Sequence, residues 1–320
     1  MGSISEALRP APYGPAVHLP APYPEKTEFP LSLAASHQNT HVAALVAEVE
    51  ELSSSGKLRV LLDKHGAVYF QNLGLESAEQ FSQFAHAFGW TAHEDIGNPV
   101  RRTIHAKNVA TANEGPNTQP VYPHNEFGLS PHSRRMYSST AHRRQRLGVK
   151  YQLFYPNGPR DQTSSAGTTL LQAYGGKVSD SDDTETARAK IETEVKRLAT
   201  AQWVWENQSD SNPLGDLRVW QHLPAVRNHP RTGDTAFFNN VVSRFLNAID
   251  ADTLQPPHIN KDGKYQPPAF YGDGSLIPRE FLDSAVEIIK ETRALVSWTK
   301  GDVLLLDNHV VQHGREPWTG

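Results

Sequence analysis

The 320-residue sequence contains no cysteine. This absence excludes a disulfide framework, thiolate metal sites and cysteine nucleophiles, so any metal ion must be bound by nitrogen and oxygen ligands. The sequence also lacks an apolar run of the length needed to cross a bilayer. Its first residues, Met1–Glu6, lack the basic and then apolar pattern of a signal peptide. We therefore expect a cytoplasmic protein with no membrane partner.

The chain has little excess of charge of either sign. Its formal net charge is −4 and its pI is about 6.4. These values give no general reason to expect nucleic acid or an acidic membrane surface as a partner. With a mass of 35.5 kDa, the chain can bury a substantial apolar core.

Composition predicts how the chain is organised. Proline and alanine are abundant in residues 1–36, which we predict to be an extended arm over the surface. Residues 37–320 are predicted to form one domain. Near its start the apolar periodicity predicts helices at about 42–52 and 77–89, with a buried strand over 66–72 between them.

From about residue 100 onward, short runs typical of strands dominate the sequence. The predicted strands are 102–105, 150–155, 202–206, 219–223, 236–238 and 303–306. Two further helices are predicted at about 182–198 and 278–295, the second with Phe281, Ala285, Ile288 and Leu295 as its apolar stripe. Many short strands with a few covering helices favour a mainly β fold with flanking helices, a double-sheet jelly roll.

The run Pro123–Phe127 contains the first candidate metal ligands, His124 and Glu126. On a β-strand, residues i and i+2 point to the same face, so these two side chains can bind one ion together. Taken alone, such a pair is more often structural than catalytic. A similar triplet begins at His93, but it follows a helix end with no apolar strand around it, and we interpret it as a solvated turn.

The run Leu305–Arg315 supplies a third candidate ligand. The apolar strand that ends at Leu306 leads through a short loop to His313, which is followed by a glycine and an arginine. His309 is the rival ligand, and we interpret it as a hydrogen-bonded loop histidine. Two imidazoles and one carboxylate on one face of an ion leave the opposite face open, as non-heme Fe(II) oxygenases require.

These runs together resemble the Fe(II)/2-oxoglutarate-dependent oxygenases of the taurine dioxygenase and clavaminate-synthase-like group. The resemblance rests on Pro123–Glu126, on Asp307–Asn308 with His313–Arg315, on Gly66–Phe70 with the helix after it, and on His229–Asn239. The last of these runs ends in the aromatic-Phe-Asn pattern that members of the group commonly carry. The ordered set is far more specific than any single piece.

The resemblance implies a fold, a reaction and ligands. The fold is a distorted double-stranded β-helix, and the iron ligands are His124, Glu126 and His313. The enzyme would be a non-heme iron dioxygenase with Fe(II), 2-oxoglutarate as cosubstrate and O₂. Such enzymes release succinate and CO₂ while they oxidise a bound small molecule. No catalytic residue beyond the metal ligands is implied.

Two parts of the sequence depart from the pattern of this group. Residues 133–146 are basic and show no strand periodicity. Members of the group have an aromatic inner strand there, followed by a turn whose threonine helps to hold 2-oxoglutarate. Codons that fit this peptide encode an aromatic strand when they are read one base earlier. We therefore interpret residues 133–146 as frame-shifted, with a following segment absent, rather than as a solvated loop or a phosphate-binding patch.

The second departure concerns the last C-terminal strand, which in the group carries the arginine that binds the distal carboxylate of 2-oxoglutarate. The sequence ends at Gly320 without it, and Arg315 is the candidate that partly replaces this arginine. With an inner strand and both expected anchors of 2-oxoglutarate missing, we expect the chain to be poorly soluble or inactive.

Two other functions stay open on the sequence alone. A zinc hydrolase also uses two histidines and a glutamate, although the two close ligands are spaced for a strand and no separate general base is evident. A non-catalytic member of the group would bind metal without consuming 2-oxoglutarate. Asn125 and Asn239 are candidates for the wall of a substrate pocket, although buried asparagines more often satisfy backbone groups.

Overall fold

A computed structural model describes residues 7–19, 21, 27–37, 40–91, 103–112, 116–126, 148–158 and 169–319. In these residues the strands are β1 (Leu8–Pro10), β2 (Val17–His18), β3 (Glu28–Phe29), β4 (Leu31–Ala35), β5 (Ala67–Gln71), β6 (Ile104–Ala106), β7 (Val109–Ala110), β8 (Val121–His124), β9 (Val149–Tyr155), β10 (Gln202–Glu206), β11 (Asp216–Leu223), β12 (Arg227–Asn228), β13 (Thr235–Ala236), β14 (Phe270–Tyr271), β15 (Val303–Leu306) and β16 (His313–Arg315). The α-helices are α1 (Val42–Ser54), α2 (Lys57–His65), α3 (Ala78–His86), α4 (Leu170–Tyr174), α5 (Thr184–Val195), α6 (Val241–Asp250) and α7 (Arg279–Thr292). The prediction of a mainly β fold with flanking helices is confirmed. No helix in this described part is both long and apolar enough to cross a membrane.

The chain divides into two compact units, and the first draws on residues 1–92, 102–114 and 287–311. It is built on a four-stranded sheet with the order β1-β4-β5-β15. β4 and β5 run parallel, while β1 and β15 pair antiparallel at either side. β5 is therefore an interior strand, and its first four residues are buried as predicted.

The helices α1, α2 and α3 give this unit its apolar core. Leu45 and Val49, one turn apart on α1, are buried in the same cluster as Phe70 of β5. The ring of Phe70 lies 5.3 Å from the ring of Phe84 on α3, in an edge-to-face arrangement. Burial of each such side chain stabilises the fold by about 1.5–3 kcal/mol. Apolar packing therefore holds the first unit together.

Part of the predicted N-terminal arm belongs to this core. β1 and β4 come from the proline- and alanine-rich segment, and Leu8 and Leu33 are buried in the cluster. The carboxylate of Glu48 on α1 accepts hydrogen bonds from the backbone N–H groups of Ala7, at 3.0 Å, and Leu8, at 2.8 Å. The expectation of an arm over the surface is therefore corrected for these strands, whose scattered leucines complete the sheet. The prediction of one domain over residues 37–320 stays a prediction.

Helix α2 was not predicted. The helix predicted at about 42–52 corresponds to α1, which ends at Ser54, but a second helix begins at Lys57 directly afterwards. Gly56 makes this possible because its φ of 76° is a left-handed conformation that glycine adopts without strain. Leu58 and Leu62 then lie one turn apart on the buried side of α2.

Among the described residues, the second unit draws on 116–126, 148–158, 169–286 and 312–319. Its main sheet is antiparallel and has the order β10-β11-β9-β14. Buried and more exposed residues alternate strictly along β11, as expected for a strand with one face in a core. Leu217 and Val219 pack with Ile191 and Val195 of α5. The strands predicted at 150–155, 202–206 and 219–223 correspond to β9, β10 and β11.

Helix α6 was also not predicted, and it lies behind the candidate site. Its residues Val241 and Phe245 are buried in a second cluster with Val149 and Tyr151 of β9. The strand predicted at 236–238, in the segment before this helix, overlaps β13 only at Ala236.

Helix α7 is confirmed, but its predicted apolar stripe is wrong. Phe281 and Ile288 are 58% and 60% exposed, and Leu295 lies beyond the helix end. Leu282 is buried instead, and Val286 packs against the same cluster. The sequence offers two adjacent apolar stripes on this helix, and tertiary contacts choose between them.

Candidate metal centre

β8 and β16 bring together the two histidines of the predicted site. The strands pair antiparallel, and His313 lies directly opposite His124. Directly opposed residues extend from the same face of a sheet. The two imidazole rings lie 4.4 Å apart between centroids and are tilted by 41°. Strand pairing therefore makes neighbours of two residues that are distant in the sequence.

Glu126 completes the group from just beyond the end of β8. Its Oε1 atom lies 3.6 Å from Nε2 of His124 and 3.6 Å from Nε2 of His313. One ligand atom from each of the three residues lies within 4.8 Å of the other two. β8 ends at His124, so Glu126 lies two residues beyond the strand and not, as the sequence had predicted, on it. The side chains of His124 and Glu126 are nevertheless neighbours.

The imidazole of His124 is held in one tautomer. Its Nδ1 lies 2.8 Å from the backbone oxygen of Tyr122, which can only accept a hydrogen bond. Nδ1 therefore carries the proton, and Nε2, the atom that faces Glu126, keeps a lone pair. This arrangement is typical of histidines that bind metal ions.

Gly314 permits the close approach of β16 to β8. A Cβ atom at this position would lie 2.5 Å from the backbone oxygen of Val121 and 3.2 Å from the nitrogen of Pro123. Real Cβ atoms do not come this close to backbone atoms, so any other residue would push the strands apart. The close packing of β16 against β8 therefore explains why a glycine follows His313.

All three side chains of the group are partly exposed to solvent. The side chain of His124 is 20% exposed, that of His313 is 35% exposed and that of Glu126 is 52% exposed. Small molecules in solution can therefore reach the group.

The residues fit Fe(II). Two imidazole nitrogens and one carboxylate oxygen are the donor set of non-heme iron centres with open positions. With metal–ligand bonds of about 2.0–2.2 Å, neighbouring ligand atoms lie about 3 Å apart. The observed separations of 3.6 Å are slightly wider, and small rotations of the Glu126 side chain close that difference.

Tyr122 fastens β8 to the end of α6. Its hydroxyl donates a hydrogen bond to Oδ2 of Asp250 at 2.8 Å. Burial raises the pKa of Tyr122 to about 12, and the hydrogen bond to Asp250 adds to this effect. The phenol therefore stays protonated at neutral pH and remains a donor to the carboxylate.

Asn125 and Asn239 hold backbone groups. Both are buried, with 2% and 1% of their surface exposed. Oδ1 of Asn125 accepts from the backbone N–H of Asn239 at 3.1 Å, and Asn239 in turn binds the oxygen of Ala225 and the N–H of Val241. The prediction of a pocket wall is therefore corrected, because these amides satisfy buried backbone groups.

Arg315 contacts the segment that precedes β8. Its Nη2 donates to the backbone oxygens of Pro116, at 2.8 Å, and Gln119, at 3.0 Å. Its Nε is buried without a hydrogen-bond partner among the described residues. The guanidinium therefore links β16 to the segment before β8, and its Nε–H group can donate to a further acceptor.

The other candidates from the sequence fall outside this group. His309, the rival ligand, is not one of the three clustered residues, and its backbone N–H donates to Oδ1 of Asp307. His93 and residues 133–146 lie outside the described residues.

One protein family and several known proteins are similar to this chain. The family described as "Taurine catabolism dioxygenase TauD, TfdA family" matches residues 179–320, which include His313. A clavaminate synthase-like protein of Arabidopsis thaliana is 23% identical over 277 residues, covering 81% of this chain and 79% of its own length. The dapdiamide synthesis protein DdaC of Enterobacter agglomerans is 25% identical over 313 residues, covering 91% and 90%. Among solved structures, the PvcB protein of Pseudomonas aeruginosa aligns with 97% of this chain and 88% of its own, at 19% identity. The TM-score of this alignment is 0.37.

Proposed function

Because the family match and the two long alignments support membership of the taurine dioxygenase and clavaminate-synthase-like family, we propose that this chain is an Fe(II)/2-oxoglutarate-dependent oxygenase. The reaction would be hydroxylation, or a related oxidation of a C–H bond, in a small molecule. 2-Oxoglutarate would be converted to succinate and CO₂ in the same turnover.

One observation carries the proposal. His124, Glu126 and His313 arrive from two strands and place three ligand atoms within 4.8 Å of one another. The three side chains are partly exposed, and the tautomer of His124 leaves Nε2 available. A chance cluster of exposed polar residues gives no reason for this tautomer or for the steric requirement at Gly314.

The residues of the chain have distinct tasks in this proposal. His124, Glu126 and His313 hold the iron, which when bound supplies the activation of O₂ and of the keto acid. The backbone oxygen of Tyr122 keeps the His124 proton on Nδ1 and away from the metal side. Gly314 keeps β16 close enough to β8 for both histidines to reach one ion.

Arg315 is our candidate anchor for the distal carboxylate of 2-oxoglutarate. To pair with a carboxylate, its guanidinium would exchange neutral carbonyl contacts for a charge-assisted pair, which is roughly twice as strong. We also propose that the family's double-stranded β-helix lacks one inner strand in this chain. Weak binding of 2-oxoglutarate is therefore expected.

Substrate identity is proposed only by class. The printed name of the Enterobacter relative refers to the synthesis of dapdiamide, and at 25% identity we transfer only the use of a small-molecule substrate.

The test is anaerobic loading of the full chain with Fe(II), followed by titration with 2-oxoglutarate. The proposal expects one equivalent of iron to bind and a visible charge-transfer band to grow as 2-oxoglutarate chelates it. A Glu126→Ala variant, treated identically, should show no band. Iron binding without any band at saturating 2-oxoglutarate would contradict the oxygenase proposal and support a non-catalytic member that binds metal only.

A further inference from the structure

Both segments that carry the candidate metal ligands are bound to the same dipeptide. Asn239 and Asn240 immediately precede helix α6. One of them binds the residue between His124 and Glu126, and the other binds the residue before His313. We call Asn125, Asn239, Asn240 and Gln312 the amide clamp.

The first arm of the amide clamp joins Asn240 to Asn125. Oδ1 of Asn240 accepts from the backbone N–H of Asn125 at 2.8 Å, and its Nδ2 donates to the backbone oxygen of Asn125 at 3.2 Å. A single side-chain amide therefore satisfies both backbone groups of the residue that separates the first two ligands. This fixes the direction in which the chain leaves His124 and reaches Glu126.

The second arm joins Gln312 to Asn239. Nε2 of Gln312 donates to the backbone oxygen of Asn239 at 2.9 Å and lies 3.5 Å from Oδ1 of Asn125. Gln312 directly precedes His313, so this contact fixes the start of β16. Both segments that carry candidate ligands are therefore hydrogen-bonded to the same dipeptide, Asn239–Asn240.

The dipeptide Asn239–Asn240 is in turn hydrogen-bonded to a residue of the core. The backbone N–H of Asn240 donates to the hydroxyl of Tyr151 at 2.9 Å, and Tyr151 is buried in β9. At the other end of α6, Asp250 accepts from the hydroxyl of Tyr122 on β8. Helix α6 therefore contacts the ligand-bearing strand at both of its ends.

We propose that Asn240 and Gln312 are positioning residues that set the spacing between Glu126 and the two histidines. Neither side chain supplies a ligand atom to the group of three. The inference rests on the proposed metal site. It states that two side-chain amides outside the site determine the positions of its ligands. Groups that orient metal ligands typically change metal affinity by about 10–100-fold when they are removed.

The test uses Co(II), whose visible absorption reports on its ligand geometry, titrated into the metal-free full chain. Asn240→Ala should bind Co(II) about 10–100-fold more weakly than the unmodified chain and with a shifted absorption band. The matched control is Asn247→Ala, on the same helix, whose exposed side chain donates only to the backbone oxygen of Ser243 at 2.7 Å. This control should bind Co(II) as the unmodified chain does.

Gln312→Met provides a second route to the same answer. Methionine keeps the length of the side chain and removes its amide, so the variant tests the clamp even where Asn240→Ala fails to fold. We expect a weaker affinity and a shifted Co(II) band here too, with an unchanged far-ultraviolet circular dichroism spectrum. The loss of Co(II) binding free energy in the double variant should be smaller than the sum of the losses in the two single variants, because both amides act on the same spacing.

The outcomes separate this inference from the proposal on which it rests. If the unmodified chain binds no Co(II) or Fe(II), the proposed metal site fails and the inference falls with it. If the unmodified chain binds metal and folded Asn240→Ala and Gln312→Met variants match it in affinity and absorption, only the inference is overturned. An equal loss in Asn247→Ala would also overturn it, because the effect would then belong to helix α6 in general.

Discussion

Two antiparallel strand pairs in this protein are held by different forces. The pair β5–β15 belongs to the first unit, and four of the five residues of β5 are buried. The pair β8–β16 belongs to the second unit, and none of its residues is fully buried. Apolar contacts position the first pair, whereas side-chain amides, a phenol and a guanidinium position the second.

The proposed function gives a physical reason for this difference. A metal centre that binds a cosubstrate must admit small molecules, so the strands that carry its ligands cannot be covered on both faces. Discrete hydrogen bonds then replace apolar burial as the means of fixing their geometry. Substitutions in the first pair should therefore change the free energy of unfolding, and substitutions around the second should change metal affinity.

The largest effect is expected for Phe70→Ala in β5. Phe70 is fully buried against Phe84 and Phe88, and truncation of such a residue costs about 3–5 kcal/mol. Phe281→Ala is the matched control because Phe281 is 58% exposed, and a change of about 0.5 kcal/mol or less is expected there. Denaturant unfolding measures both, and equal effects would contradict an apolar core centred on β5.

A smaller effect on stability, with a loss of metal affinity, is expected for Gly314→Ala. The added Cβ would meet the backbone oxygen of Val121 at 2.5 Å, so the strands must separate, at a cost of about 1–3 kcal/mol. We expect metal affinity to fall about tenfold, as for the loss of an orienting group.

Gly176→Ala is the control for this glycine. Its added Cβ would have no atom within 4 Å, and its φ is not in the left-handed region. Metal titration and thermal unfolding compare the two variants. If Gly314→Ala binds metal as the unmodified chain does, the close approach of β16 to β8 is not what places His313.

The smallest effect is expected for Glu206→Gln in the main sheet of the second unit. Arg218 donates to both carboxylate oxygens of Glu206, at 2.7 and 2.9 Å, and these hydrogen bonds lower the pKa of Glu206 below its ordinary value of 4.5. We expect a loss of about 1 kcal/mol at neutral pH, since the pair is partly exposed.

The sign of the pH dependence follows from the lowered pKa. The contribution of Glu206 is present above pH 4.5 and is lost as the pH falls through the lower pKa of the folded state. The unmodified chain and the variant should therefore converge in stability in acid while they bind metal equally at neutral pH. A destabilisation that persists in acid would contradict the role assigned to this ion pair.

Local patterns in the sequence predicted the elements whose cause is local. The runs typical of strands at 150–155 and 202–206 correspond to β9 and β10, and the helix predicted from about residue 77 corresponds to α3. The three candidate ligands were also chosen from the sequence, and the structure brings them together. Their role as metal ligands stays a proposal until metal binding is measured.

The parts that were missed depend on distant residues. Asn240 and Asn125 are separated by 115 positions, and Gln312 and Asn239 by 73. No periodicity or motif connects amides so far apart, because only the fold decides which backbone groups they meet. Helix α6 is a different case, because its buried residues Val241, Val242, Phe245 and Ala248 follow helical spacing. This local signal was present in the sequence and was missed.

The most direct test of the proposed metal centre compares two histidines four residues apart. His313→Ala should abolish Fe(II) binding in an anaerobic titration, because one of the three proposed ligands is lost. His309→Ala, the matched control, should bind Fe(II) with the affinity of the unmodified chain. Retention of iron by His313→Ala, or its loss in His309→Ala, would contradict the proposed metal centre.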